Sequence, residues 1–193
     1  MGPLQVHLDT KQIQVLAHPL RARLLGRLRL DGPATATRLA EVLGTNTGAT
    51  SYHLRRLADV GLVAEEQGAG RGRERWWRAA HDVTSWQRDS FAGDPDAVAA
   101  SDWLDGFALR HFVDRVERWR GVRADESPEW RAAAGFSDYL LNLGAEQLTA
   151  LSAELDTVIE RYRRLGATDP APDARQVLLY LHGVPRVEEG GKP

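Results

Sequence analysis

The stretch Leu39-Ala40-Glu41-Val42-Leu43-Gly44-Thr45-Asn46-Thr47-Gly48-Ala49-Thr50-Ser51-Tyr52-His53-Leu54-Arg55-Arg56-Leu57 decides how the first part of this 193-residue chain is read. Leu39, Ala40 and Leu43 share one face of a short helix capped by Thr35 or Thr37. Gly44 ends it, because glycine enters the left-handed conformation at a helix C-terminus with no Cβ penalty. Asn46 caps a second helix over 47–60, with Leu54, Leu57 and Val60 inward and Gly61 as its stop. Two short helices joined by so tight a turn let the second lie in a groove while the first braces it.

Upstream, Asp9-Thr10 opens a helical region carrying Ile13, Leu16 and Leu20. Pro19, after His18, breaks that region or starts a new helix, since proline suits a first turn and disfavours helix in the residue before it. Leu24, Leu25 and Leu28 continue the apolar face to a stop at Asp31-Gly32-Pro33. Downstream, Leu62–Glu66 reads as a strand and Glu74–Ala79 as its return. Between them lies the glycine-rich turn Gln67-Gly68-Ala69-Gly70-Arg71-Gly72-Arg73. Helix, helix, turn, helix and an arginine-tipped hairpin together read as a winged helix-turn-helix, with the second helix of the turn placed to enter a DNA major groove.

On that helix, Asn46, Thr47, Thr50, Ser51, Tyr52, Arg55 and Arg56 are the candidate DNA contacts. Small hydroxyl side chains allow close approach to base edges, while Tyr and Arg reach bases or phosphates, and the helix N-terminus itself favours a phosphate. Arg71, Arg73 and Arg75 of the hairpin offer cations to the backbone or minor groove. His53 reads either as a packed residue beside Leu54 or as a contact, and His18 reads as structural. The charge distribution points the same way. Residues 1–80 carry 12 Lys+Arg against 7 Asp+Glu, and residues 81–193 carry 13 against 20, so a basic half precedes an acidic one inside a net charge of −2.

In sequence order, Leu16-Ala17-His18-Pro19-Leu20-Arg21-Ala22-Arg23-Leu24-Leu25, then Leu39–Gly44, Ser51–Leu57, Gly61-Leu62-Val63 and the Gly-Arg-rich wing resemble the ArsR-type winged-helix repressors over about residues 10–80. The resemblance implies a homodimeric repressor with Thr47, Thr50, Ser51, Tyr52 and Arg55 as reading-helix contacts and Arg71 and Arg73 in the wing. Metal-sensing members of that family carry a cysteine-containing motif on these helices, and this chain has no cysteine. The remaining residues resemble the additional C-terminal domain of extended members.

That part opens with a connector over 80–93. A long helix from Asp94-Pro95 to about Gly121 follows, with Leu104, Ala108, Phe112, Val116 and Trp119 on one face. Phe136–Leu143 and Gln176–Leu181 read as strands, and a helix over 145–165 carries Leu148, Leu151, Leu155, Val158, Tyr162 and Leu165. This stripe is too short for an independent coiled coil, and packing on the flanking strands or across a two-fold axis would cover it. Trp103, Phe107, Phe112, Trp119 and Trp130 are candidates for an effector pocket taking a small organic molecule, or for core or dimer seam. The expected fold class is mostly α with a small β component: a winged helix-turn-helix over 1–80, an α+β C-terminal domain with long helices and a short sheet over 81–185, and a disordered tail over 186–193.

Other classes find little support. The sequence has no membrane-length apolar run, no signal-peptide layout, no nucleotide-binding glycine fingerprint, and no nucleophile-elbow or zinc-protease motif. No enzyme activity, cofactor or metal is expected; Asp102, His111, Asp114 and Glu117 on the long helix read as a solvated charged face. The location expected is cytoplasmic. The alternative is a winged-helix protein-interaction module docking through its aromatic C-terminal half.

Overall fold

The computed structural model describes residues 5–66 and 74–187. It divides into two compact units, the first ending at His111 and the second beginning at Phe112. In the first, β1 (Gln5–His7) leads to α1 (Thr10–Leu16), α2 (Pro19–Leu30), β2 (Ala34–Thr35), α3 (Ala36–Leu43) and α4 (Thr47–Ala58). The hairpin strands β3 (Val63–Glu66) and β4 (Trp76–Ala79) follow, then β5 (Val83–Ser85) and a 3-10 turn at Arg88–Phe91. Helix α5 (Pro95–Val122) belongs to the first unit as far as His111.

Local chemistry sets the breaks between these helices. Asp9 and Gln12 form a reciprocal capping box at the start of α1. At the His18-Pro19 step the chain leaves one helix and starts the next: His18 is extended, its Nδ1 accepts from the Leu20 amide, and Pro19 fills the first helical position, where no amide donor is needed. The Thr35 hydroxyl, not that of Thr37, caps α3. Gly44 ends α3 at φ 64°, where a Cβ would be strained.

Ile13, Leu24, Leu54, Leu57 and Leu62, all fully buried, form the centre of the core; Leu28, Leu39, Leu43, Val63 and Trp77 surround them. The winged helix-turn-helix expected from the sequence is therefore present, with two additions. The short strand β2 pairs antiparallel with β4, Ala34 against Trp77, making the wing a three-stranded sheet in the order β2-β4-β3. Strands β1 and β5 pair in parallel, with Val6 against Thr84. The core also continues past residue 80 through Phe91, Ala97, Ala100 and Leu104, so the connector and the first half of α5 pack with the helices before them. Arg29 anchors this region from α2, donating to His81 O (3.0 Å) and to the Thr84 hydroxyl.

The second unit contains the end of α5, a 3-10 turn at Arg123–Asp125, α6 (Pro128–Ala133) and α7 (Ala145–Thr168). The long helices expected there are present. The short sheet is not: Phe136–Leu143 and Gln176–Leu181 pair with no strand among the described residues. Phe136, Tyr139 and Leu140 are over 80% exposed, and the Tyr180 ring packs 4.9 Å from that of Phe112 instead of joining a ladder. An apolar run fixes a strand only where a second edge supplies its hydrogen bonds, and none does so here.

Candidate nucleic-acid interface

Helix α4 has two faces. Thr50, Leu54 and Leu57 lie in the core at the i, i+4, i+7 spacing of one helical stripe. Thr47, Tyr52, Arg55 and Arg56 are exposed on the other side, and Ser51 is half-buried between them. Thr50 thus corrects the sequence reading. Fully buried, it has no route to a DNA surface, and its Oγ1 has no hydrogen-bond partner among the described residues.

Asn46 is committed to the backbone, its Oδ1 accepting from the Ala49 amide at 2.8 Å. Gly48 makes room for this cap, because a Cβ there would stand 3.3 Å from that oxygen. Arg55 lies along its own helix, its Nε donating to Ser51 O at 3.2 Å. Arg56 faces Asp59 at 3.9 Å, a half-exposed pair that competes weakly with an incoming phosphate. In the hairpin, Arg75 pairs with Glu65 at 3.1 Å and stacks 5.7 Å from the Trp77 ring centre, while Arg78 pairs with Glu66 at 2.8 Å. Arg71 and Arg73, the expected wing contacts, lie outside the described residues.

The structure adds groups that sequence reasoning did not connect with this surface. The rings of His18 and His53 are 4.5 Å apart, joining the N-terminus of α2 to α4, and Tyr52 packs edge-on to His53 at 5.1 Å. Arg21 lies close by, its Nε donating to Val15 O. Burial lowers the pKa of Arg21, and Arg56 lowers it further. His18 is pushed below its ordinary 6.5 by burial and then by Arg21; His53 is pushed down by burial, His18 and Arg21. The surface beside α4 therefore gathers the cationic side chains of Arg21 and Arg56 around two histidines whose pKa values burial lowers. The signal available in the sequence was Arg21 at the third position of α2, one turn beyond the His18-Pro19 break.

The aromatic candidates fall in several places. In the first unit Trp103 and Phe107 stack on α5 at 5.1 Å, and Phe107 meets His111 at 4.3 Å. In the second unit Phe112 packs on Tyr180, and Trp119 is half-buried. Trp130 lines an open cleft of about 540 Å³ with Ser127, Glu129 and Pro172–Arg175, and the Arg175 guanidinium stands 5.1 Å over its ring. Asp102 is bound to Arg88 at 2.7 Å, and no cluster of metal-ligating side chains occurs among the described residues. No helix among them is long and apolar enough to cross a membrane.

Residues 16–66 match the family described as Helix-turn-helix domain. The HTH-type transcriptional regulator NmtR of Mycobacterium tuberculosis is 44% identical over 59 residues, covering 31% of this chain and 48% of that protein. The chain thus spans about half the length of this curated relative. Among solved structures, a homodimeric winged helix-turn-helix DNA-binding domain from Mycobacterium bovis, a possible ArsR-family transcriptional regulator, aligns over 54% of this chain and 76% of that one, with 22% identity and a TM-score of 0.34. A possible transcriptional regulator for arsenical resistance aligns over 61% and 97%, with 28% identity and a TM-score of 0.32. The family match over residues 16–66, the order of elements and the two-faced α4 together make this stretch a helix-turn-helix followed by a winged hairpin.

Proposed function

We propose that this chain is a sequence-specific, homodimeric regulator of transcription that binds double-stranded DNA and acts as a repressor. The observation that carries the reading is α4. One of its faces is fixed in the core by Leu54 and Leu57, and the other presents Thr47, Ser51, Tyr52, Arg55 and Arg56 free of core packing. A helix held this way is a rigid reading head, with short hydroxyl side chains at its N-terminal end and arginines a turn later. Phosphate neutralisation by Arg21, Arg56 and the wing arginines supplies most of the affinity, and Arg55 supplies base discrimination. NmtR, which shares 44% identity with this chain over 59 residues, is an HTH-type transcriptional regulator, which supports the same reading.

The test is fluorescence anisotropy of the full chain on DNA from upstream of its own gene and on random DNA, across about 50 to 200 mM salt. Tight binding that prefers the upstream DNA and falls steeply with salt is expected. Arg55→Ala should cost about 1–3 kcal/mol on the preferred site and little on random DNA. Equal losses on both DNAs would make Arg55 a phosphate contact. Absence of binding at low salt would overturn the reading in favour of protein docking.

A further inference from the structure

Helix α7 carries Leu148, Leu151, Leu155, Val158, Tyr162 and Leu165, and none of its residues is buried within the chain. Its N-terminal end has some cover, since Gly183 lies against Leu148. From Leu155 onward the stripe stands open, with Leu155, Val158, Tyr162 and Leu165 exposed by 37, 42, 60 and 49%. A 24-residue amphipathic helix with its apolar stripe in water is an incomplete structure, because such a helix owes most of its stability to packing of that stripe.

We infer that α7 pairs antiparallel with the same helix of a second copy, across a two-fold axis passing between Leu155 and Val158. The inference deepens the homodimeric reading given above and rests on it. The spacing chooses a second copy as the occupant. It runs 3, 4, 3, 4, 3 from either end, so an antiparallel pair sets Leu148 opposite the partner's Leu165, Leu151 opposite the partner's Tyr162, and Leu155 opposite the partner's Val158. Each contact then occurs twice, as a two-fold interface requires.

The charges choose the direction. Glu154 and Arg161 immediately precede Leu155 and Tyr162 and flank the stripe on one side. Antiparallel packing sets Glu154 beside the partner's Arg161, and Arg161 beside the partner's Glu154. A parallel pair would instead set Glu154 near the partner's Ile159 and Arg161 near the partner's Gly166, leaving both charges uncompensated. Neither side chain is tied up in an ion pair among the described residues, although the Arg161 guanidinium lies 5.3 Å over the neighbouring Tyr162 ring. Arg163 and Arg164 are engaged with Glu160 along the helix, whereas Glu154 and Arg161 are exposed and have no ion pair among the described residues. On the other flank, Ala145, Ser152, Ile159 and Gly166 carry no charge and permit close approach.

Sedimentation of the full chain tests this without any DNA. Glu154→Arg and Arg161→Glu should each weaken the dimer about tenfold, since each turns two attractive contacts into repulsive ones, and the double exchange should restore it. Circular dichroism checks that the fold is kept, which the exposure of both positions leads one to expect. Singles and double weakened alike, or none weakened in a chain that still dimerises, would overturn the helix pairing and leave the homodimer on another surface. A wild-type chain that stays monomeric would overturn both.

Discussion

Thr50 shows how much one hydroxyl can hide. In the sequence it stands among Thr47, Ser51 and Tyr52 and shares their polarity, yet it continues the Leu54–Leu57 stripe by one turn toward the N-terminus. Its side chain is fully buried, and its Oγ1 finds no hydrogen-bond partner among the described residues, which carries a desolvation cost with no return. Thr50→Val should therefore raise stability by about 1 kcal/mol in a denaturant titration. It should also leave DNA affinity unchanged, because the residue never faces the ligand. A loss of affinity with stability intact would return Thr50 to the contact surface. Polarity misled here, while period did not: counting Thr50 as half-apolar gives the observed burial. Asn46, Gly44 and Gly61 were legible for a stronger reason, since caps and left-handed turns depend on only a few neighbouring residues.

Between elements, the His18–His53 contact ties α2 to the helix proposed to read DNA. Both imidazoles have pKa values lowered from 6.5, first of all by burial. The native state consequently binds fewer protons than the unfolded chain just below that value. Stability is fully present above the unfolded pKa and is lost as pH falls through 6.5 and below. The unfolding midpoint should drop between about pH 7.5 and pH 5.5, and His53→Gln should flatten that dependence. An unchanged slope in the variant would assign the effect to other groups. None of this coupling was visible in the sequence, where the two histidines are 35 positions apart and each reads as a separate packed residue. The long helices were visible because their apolar positions recur over many turns. Two residues of β2 and three of β5 offer no such period, and their pairing is decided by where the helices bring them.

Across the whole chain, legibility followed closure. The first unit completes its own core, so sequence pattern and structure agree in its helices and hairpin. The second leaves Phe136, Tyr139, Leu140 and the α7 stripe exposed. Strand signals at 136–143 and 176–181 found no edge to join among the described residues. The β1–β5 pair carries a different consequence, one of timing. His7 and Ser85 meet through a 2.8 Å side-chain contact at a separation of 78 residues, and the Leu8 amide donates to Ser85 O at 2.9 Å. During synthesis at roughly 5–20 residues per second, β1 waits on the order of 4–16 s for the segment it pairs with, while α1 to α4 can already assemble. In refolding followed by pulse-labelled hydrogen exchange, the Leu62 amide, bonded to nearby Leu57 O, should gain protection early, and the Leu8 amide should gain it late. Simultaneous protection would mean that the clasp forms together with the core it closes.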